Sequence, residues 1–114
     1  MNRNIKTTKI NQNFTINDLP RDERPRERLK NYGISSLSET ELIALILGRG
    51  IKGESVMVTA QQLLKNFGSL SEMMDASIEE LQTIRGIGIA KAAQLLAVMG
   101  IARKVVEERI KKEK

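Results

Sequence analysis

Aliphatic residues recur along this chain three and four positions apart and are interrupted by glycines, which is the spacing of amphipathic helices rather than the strict alternation of strands. The clearest start is Ser38-x-x-Glu41-Leu42: a hydroxyl residue with glutamate three positions on makes a capping box, and Leu37 and Leu42 hold the two positions of a hydrophobic staple. That helix is expected to reach about Leu47. Another begins at Ser55 and continues through Leu64 to a stop at Gly68. Ser69 with Glu72 caps a short connector, and Ser77 with Glu80 opens a helix reaching Ile84. Gly86 and Gly88 break the chain there, and the last helix starts near Ile89. Upstream, the run from Pro20 to Leu29 reads as the first helix, with Pro25 in its first turn, where a missing N–H costs nothing, and Gly33 at its end.

The two ends read differently from the middle. Residues 1–15 are rich in Asn, Lys and Thr with isolated Ile, too polar to bury much, and are expected to form a mobile arm. Residues 16–106 form the helical domain. Beyond Arg103 the last helix turns charged, with Glu107/Lys111 and Glu108/Lys112 at favourable spacing, and residues 107–114 read as a tail leading to a further, C-terminal domain.

Composition narrows the fold. A chain of 114 residues, 40% hydrophobic and 29% charged, fits one domain with a real core. Its aromatic residues are Phe14, Tyr32 and Phe67, so the core must be built from Leu, Ile, Val, Met and Ala. The expected class is all-α, a compact domain of five to six helices with a connector helix between two units. With no Cys and no His, there is no thiolate or imidazole to bind a metal, attack a substrate or shuttle protons near neutral pH. The expectation is therefore no catalytic residue, no metal and no cofactor in this chain. No apolar run approaches the roughly 20 residues that span a bilayer, and Met1 opens no signal peptide, so a cytoplasmic protein without membrane contact is expected. A net charge of +5 suits a polyanionic partner, though a balance this modest is also common elsewhere.

Two segments share an order of features. Ser38-x-x-Glu41-Leu42 leads to Gly48-x-Gly50, and Ser77-x-x-Glu80-Leu81 leads to Gly86-x-Gly88; each is followed by similar helix text, Ala60-Gln61-Gln62-Leu63-Leu64 and Ala93-Gln94-Leu95-Leu96. Either the chain is a tandem pair of helix-hairpin-helix units that bury their faces on each other, or it is an unrelated bundle that uses ordinary helix vocabulary twice.

The run Leu81 to Ala92 carries the candidate chemistry. Lacking Cβ, Gly86 and Gly88 can take positive φ and let a ligand approach the backbone, while Ile87 plugs the angle between helices. Amides after Gly88 open a helix, lack intrahelical acceptors and carry the positive end of its dipole, which suits a phosphate oxygen. Lys91 in that turn opposes the dipole by about 0.3 to 1 kcal/mol, which makes sense beside an anion, and Arg85 could add a second charge. The candidate phosphate-binding residues are thus Arg85, Gly86, Ile87, Gly88, Ala90 and Lys91. The plainer alternative is that Gly86 is a helix C-cap, Gly88 permits close packing and Lys91 is solvated. The run resembles the helix-hairpin-helix family of non-sequence-specific DNA-binding motifs, whose Leu-x-x-Ile-x-Gly-Ile-Gly-x-x-Lys-Ala pattern is met at Leu81, Ile84, Gly86, Ile87, Gly88, Lys91 and Ala92. Some members of that family serve as protein contacts instead.

Gly48-Arg49-Gly50-Ile51-Lys52-Gly53 matches the dinucleotide fingerprint by letter. It is rejected, because the preceding segment starts with a helical cap, no second strand follows and the chain is too short for a doubly wound sheet; a phosphate loop fails too, because Glu54 stands where its lysine belongs. Arg49, Gly50 and Lys52 could give a second backbone contact; a solvated loop is the alternative. The Arg and Glu run from Arg21 to Arg28 reads as a salt-bridged helix face and not as a binding stripe.

Taken together, the string from Asp18 to Leu29, with Ser36-Leu37-Ser38-x-x-Glu41-Leu42 and Ile84-x-Gly86-Ile87-Gly88-x-Ala90-Lys91-Ala92, resembles the N-terminal region of the bacterial RadC family, over about Ile16 to Val106. The resemblance implies a DNA repair-type protein whose further domain is of the JAB/MPN metalloprotease-like kind. That domain's zinc ligands include a His-x-His pair and an Asp; nothing here matches them, so any hydrolase activity would lie outside this chain. The expected partner is DNA, held by backbone contacts of low specificity. Self-association, or contact with its own C-terminal domain in support of a metal-dependent hydrolase, is the alternative.

Overall fold

The structure, a computed structural model, describes residues 16, 19–20, 23–50 and 55–113. Those residues are helical wherever they are regular, with no strand among them. Six α-helices run in the order α1 (Pro25–Tyr32), α2 (Glu39–Leu47), α3 (Val56–Phe67), α4 (Leu70–Met74), α5 (Ile78–Leu81) and α6 (Ile89–Glu113), with a 3-10 turn at Ile34–Ser36 between the first two. The all-α expectation therefore holds, and the dinucleotide reading of Gly48 to Gly53 finds no sheet to stand on. The mobile arm expected at 1–15 lies outside the described residues.

Serine starts most of these helices. In α2, the Ser38 hydroxyl accepts from the Glu41 amide at 3.2 Å and the Glu41 carboxylate accepts from the Ser38 amide at 3.0 Å, which completes the box. Ser77 and Glu80 repeat it in α5, at 3.0 and 2.8 Å. Ser69 accepts from Glu72 in α4 at 3.1 Å, and Ser55 accepts from Met57 at the start of α3 at 3.1 Å. Each bond satisfies an amide that the helix itself leaves over. Glycine ends helices: Gly33, Gly48 and Gly68 all have positive φ, and their amides return to the carbonyls of Leu29, Ala44 and Leu64.

The chain divides into two compact units, Met1–Ala60 and Gln61–Lys114. In the first, Pro25, Leu37, Ile43, Ala44, Leu47, Val56 and Ala60 are buried, along with the hydroxyl residues Ser55 and Thr59. Arg28 of α1 binds Glu41 of α2, and its other contact is the Ser36 carbonyl at 3.4 Å. Its Nε is buried with no partner among the described residues. Burial pushes the Glu41 carboxyl up, but the Arg28 hydrogen bond, the Ser38 amide and the Arg28 charge outweigh it, and the group titrates below its ordinary value. One carboxylate thus caps α2 and ties it to α1.

In the second unit, Leu63, Met73, Leu81, Ile84, Ile87, Ala92 and Leu95 are buried, and α5 packs against α6. A fully buried Leu or Met contributes about 1.5 to 3 kcal/mol relative to exposure. Helix α5 is shorter than the sequence pattern suggests, because the amides of Thr83 and Ile84 turn to carbonyls three residues back, Glu80 and Leu81, instead of four. Helix α6 continues without a break from Ile89 to Glu113.

Candidate nucleic-acid interface

Between α5 and α6 the backbone turns sharply while its aliphatic side chains point inward. Ile84 and Ile87 are 7% and 4% exposed, and the Ile87 amide donates to the Ile84 carbonyl at 3.0 Å. Ile87 therefore anchors the bend from below, and its own N–H is already used. Gly86 has φ 93°, where a side chain would be strained. Gly88 does not: its φ is not positive, so the expectation of left-handed freedom at both glycines holds for Gly86 alone.

Gly88 has a different role. Its carbonyl accepts from the Ala92 amide at 3.0 Å, which makes it the residue that caps α6, and as glycine it offers no side chain to the first turn. The amides of Gly88, Ile89 and Ala90 donate to no acceptor among the described residues, and all three residues are exposed. Arg85 is exposed on the other side of the bend, and Lys91 is half-buried and engaged with a neighbour of its own. The run thus places Arg85, Gly86, Gly88, Ala90 and Lys91 around one turn, with Ile87 beneath them. Ile89, 66% exposed at the tip, went unassigned in the sequence reading, because a third isoleucine in a row of buried ones carries no mark of its exposure.

The first glycine pair is built otherwise. Gly48 has φ 77° and ψ −66°, and the Arg49 amide donates to the Leu47 carbonyl at 2.9 Å, which is a γ-turn of the rare positive-φ kind. Arg49 is exposed and Gly50 half-buried, while Lys52 lies outside the described residues. Helix α3, which follows, begins with the buried hydroxyl of Ser55 occupying its first-turn amide. In both segments the first glycine has positive φ, but one following helix caps itself and the other does not.

The described residues form an all-helical domain, and no cluster of metal-ligating residues occurs among them. The chain belongs to the UPF0758 family: residues 16–93 match the model described as UPF0758 N-terminal. It is 45% identical over 95 residues to a UPF0758 protein of Clostridium botulinum, covering 83% of this chain and 42% of the relative. With one of Listeria monocytogenes the identity is 46% over 90 residues, covering 79% of this chain and 40% of the relative. The chain thus spans about two fifths of the length of these relatives. No solved structure matches it. No helix among the described residues is long and apolar enough to cross a membrane.

Proposed function

We propose that this domain binds DNA without reading its sequence, holding a backbone phosphate at the bend between α5 and α6. The observation that carries the proposal is the start of α6. Where α2, α3, α4 and α5 each offer a serine hydroxyl to their first amides, α6 offers Gly88, and the residues that carry its leading amides, Gly88 to Ala90, are exposed. Such amides, at the positive end of a helix of 25 residues, suit a phosphate oxygen. Arg85 and Lys91 flank the turn, and the chain's net charge is +5. Resemblance of the run to DNA-binding helix-hairpin-helix motifs, and of the chain to the RadC family, points the same way. Contacts of this kind fix position and carry no base information.

The test is binding to a short duplex across a salt series, with the wild type, Lys91→Glu and Gly88→Val. Charge reversal at Lys91 is expected to weaken binding alike on all sequences and to reduce the salt slope by about 1; Gly88→Val, which sets a branched side chain beside the amides, is expected to weaken it as well. Both variants binding like wild type while remaining folded would end the proposal. A second reading, a protein-contact module supporting an attached hydrolase domain, is favoured by the exposed aliphatic residues of α6, Val98, Ile101, Val105, Val106 and Ile110.

A further inference from the structure

We infer that α6 is hinged at Gly100: its outer arm, residues 101–113, opens and closes as a unit separate from the packed half, and an ion pair between Arg103 and Asp75 is the latch that holds it. The first observation is where packing stops. Ala92 and Leu95 are 0% exposed, Leu96 and Met99 are half-buried, and from Gly100 to Glu113 every residue is exposed. The half-buried Met99 and the one glycine within α6 are thus neighbours. A Cβ at Gly100 would meet nothing within 4 Å, so no neighbouring element requires a glycine there. Its effect falls on the helix itself, since a glycine weakens a helix interior. An isolated helix shorter than roughly 15 residues is marginal in water, and residues 101–113 bury no face of their own. The arm therefore depends on a tie to the rest of its unit.

That tie is the second observation. Arg103 Nη2 stands 3.6 Å from Asp75 Oδ1. Asp75 closes α4, whose Met73 is 0% exposed, so the carboxylate end of the pair is fixed to the core while the guanidinium belongs to the arm. The pair spans the hinge. Both side chains are more than half exposed, which leaves the attraction open to screening by salt and makes it of the same order as the penalty of one interior glycine. Two opposing effects of similar size hold the arm close to balance, and ionic strength moves that balance towards opening. The inference concerns the outer half of α6 and stands independently of phosphate binding at its start.

Amide exchange followed residue by residue in the 114-residue chain tests hinge and latch separately. A hinge gives a step: protection is expected to fall at least about tenfold between the amides up to Met99 and those from Lys104 onward, and then to stay level as far as Arg109. A smooth decline towards Glu113, which ordinary fraying produces, overturns the hinge. For the latch, Asp75→Asn and Arg103→Gln are each expected to speed exchange from Lys104 onward about twofold at low salt. The two together should do no more than either alone. Variants that exchange like the wild type, or effects that add in the double variant, overturn the latch. Unchanged exchange of Ala92 to Leu95 throughout keeps loss of the latch apart from loss of the fold.

Discussion

Glu41 and Gly88 show at the scale of single residues how the same need, satisfying the first amides of a helix, is met inside the fold at one place and left open at another. The carboxylate of Glu41 caps α2 and holds Arg28, and its pKa lies below the ordinary value. A carboxyl with a depressed folded pKa adds stability that is present above its unfolded value, about 4.3, and is lost as pH falls through the folded value. Glu41→Gln keeps an oxygen for the cap but not the charge. It should cost under about 1 kcal/mol at neutral pH, given the partial exposure of the pair, and should flatten the acid limb of a plot of stability against pH; an unchanged acid limb would contradict the assignment. At Gly88 an added Cβ meets nothing within 4 Å and φ is not positive, so serine fits there. Gly88→Ser should raise the urea midpoint by the equivalent of a few tenths of a kcal/mol while weakening duplex binding, since its hydroxyl competes for the amides. Stability and binding would then move in opposite directions, which damage to the fold does not produce. The box at Ser38 and Glu41 was legible in the sequence because its partners lie three positions apart. Arg28, thirteen positions from Glu41, was not, because only the packing of α1 on α2 brings it there.

Among the elements, helix starts were easier to read than helix ends. Every serine cap named from the sequence forms, because an N-terminal hydroxyl bond is local and needs no tertiary help. The end of α5 depended on a choice between carbonyls three or four residues back, which burial of Ile84 and Ile87 settles and residue spacing does not. The charged stretch beyond Arg103 was read as the continuation of the last helix, and α6 carries it to Glu113. Within that helix Gly100 is a weak point, since glycine in a helix interior costs about 0.5 to 1 kcal/mol relative to alanine. A Cβ there meets nothing within 4 Å. Gly100→Ala should therefore deepen the helical circular dichroism signal and slow amide exchange from Ile101 onward. No change in either would mean that the lower half of α6 is already fully formed.

For the whole molecule, the fold class was legible from aliphatic spacing and the scarcity of aromatics, and the candidate bend from its two glycines. Both glycine pairs begin with positive φ, but the helix starts after them are built from different chemistry, Ser55 in one and Gly88 in the other. If phosphate contact at the bend drives association, the logarithm of affinity should fall linearly with that of salt by about 0.9 for each phosphate neutralised. Duplexes of unlike base composition should then give superimposable curves; a strong preference for one sequence would contradict a backbone-only contact. Helix α6, with 25 residues, is about 37 Å long. No proline interrupts the shaft, but Gly100 lies between Gly88 and Ile110 and is where it bends most easily. A load at one end of the shaft would therefore be spent in bending at its middle before it reached the other.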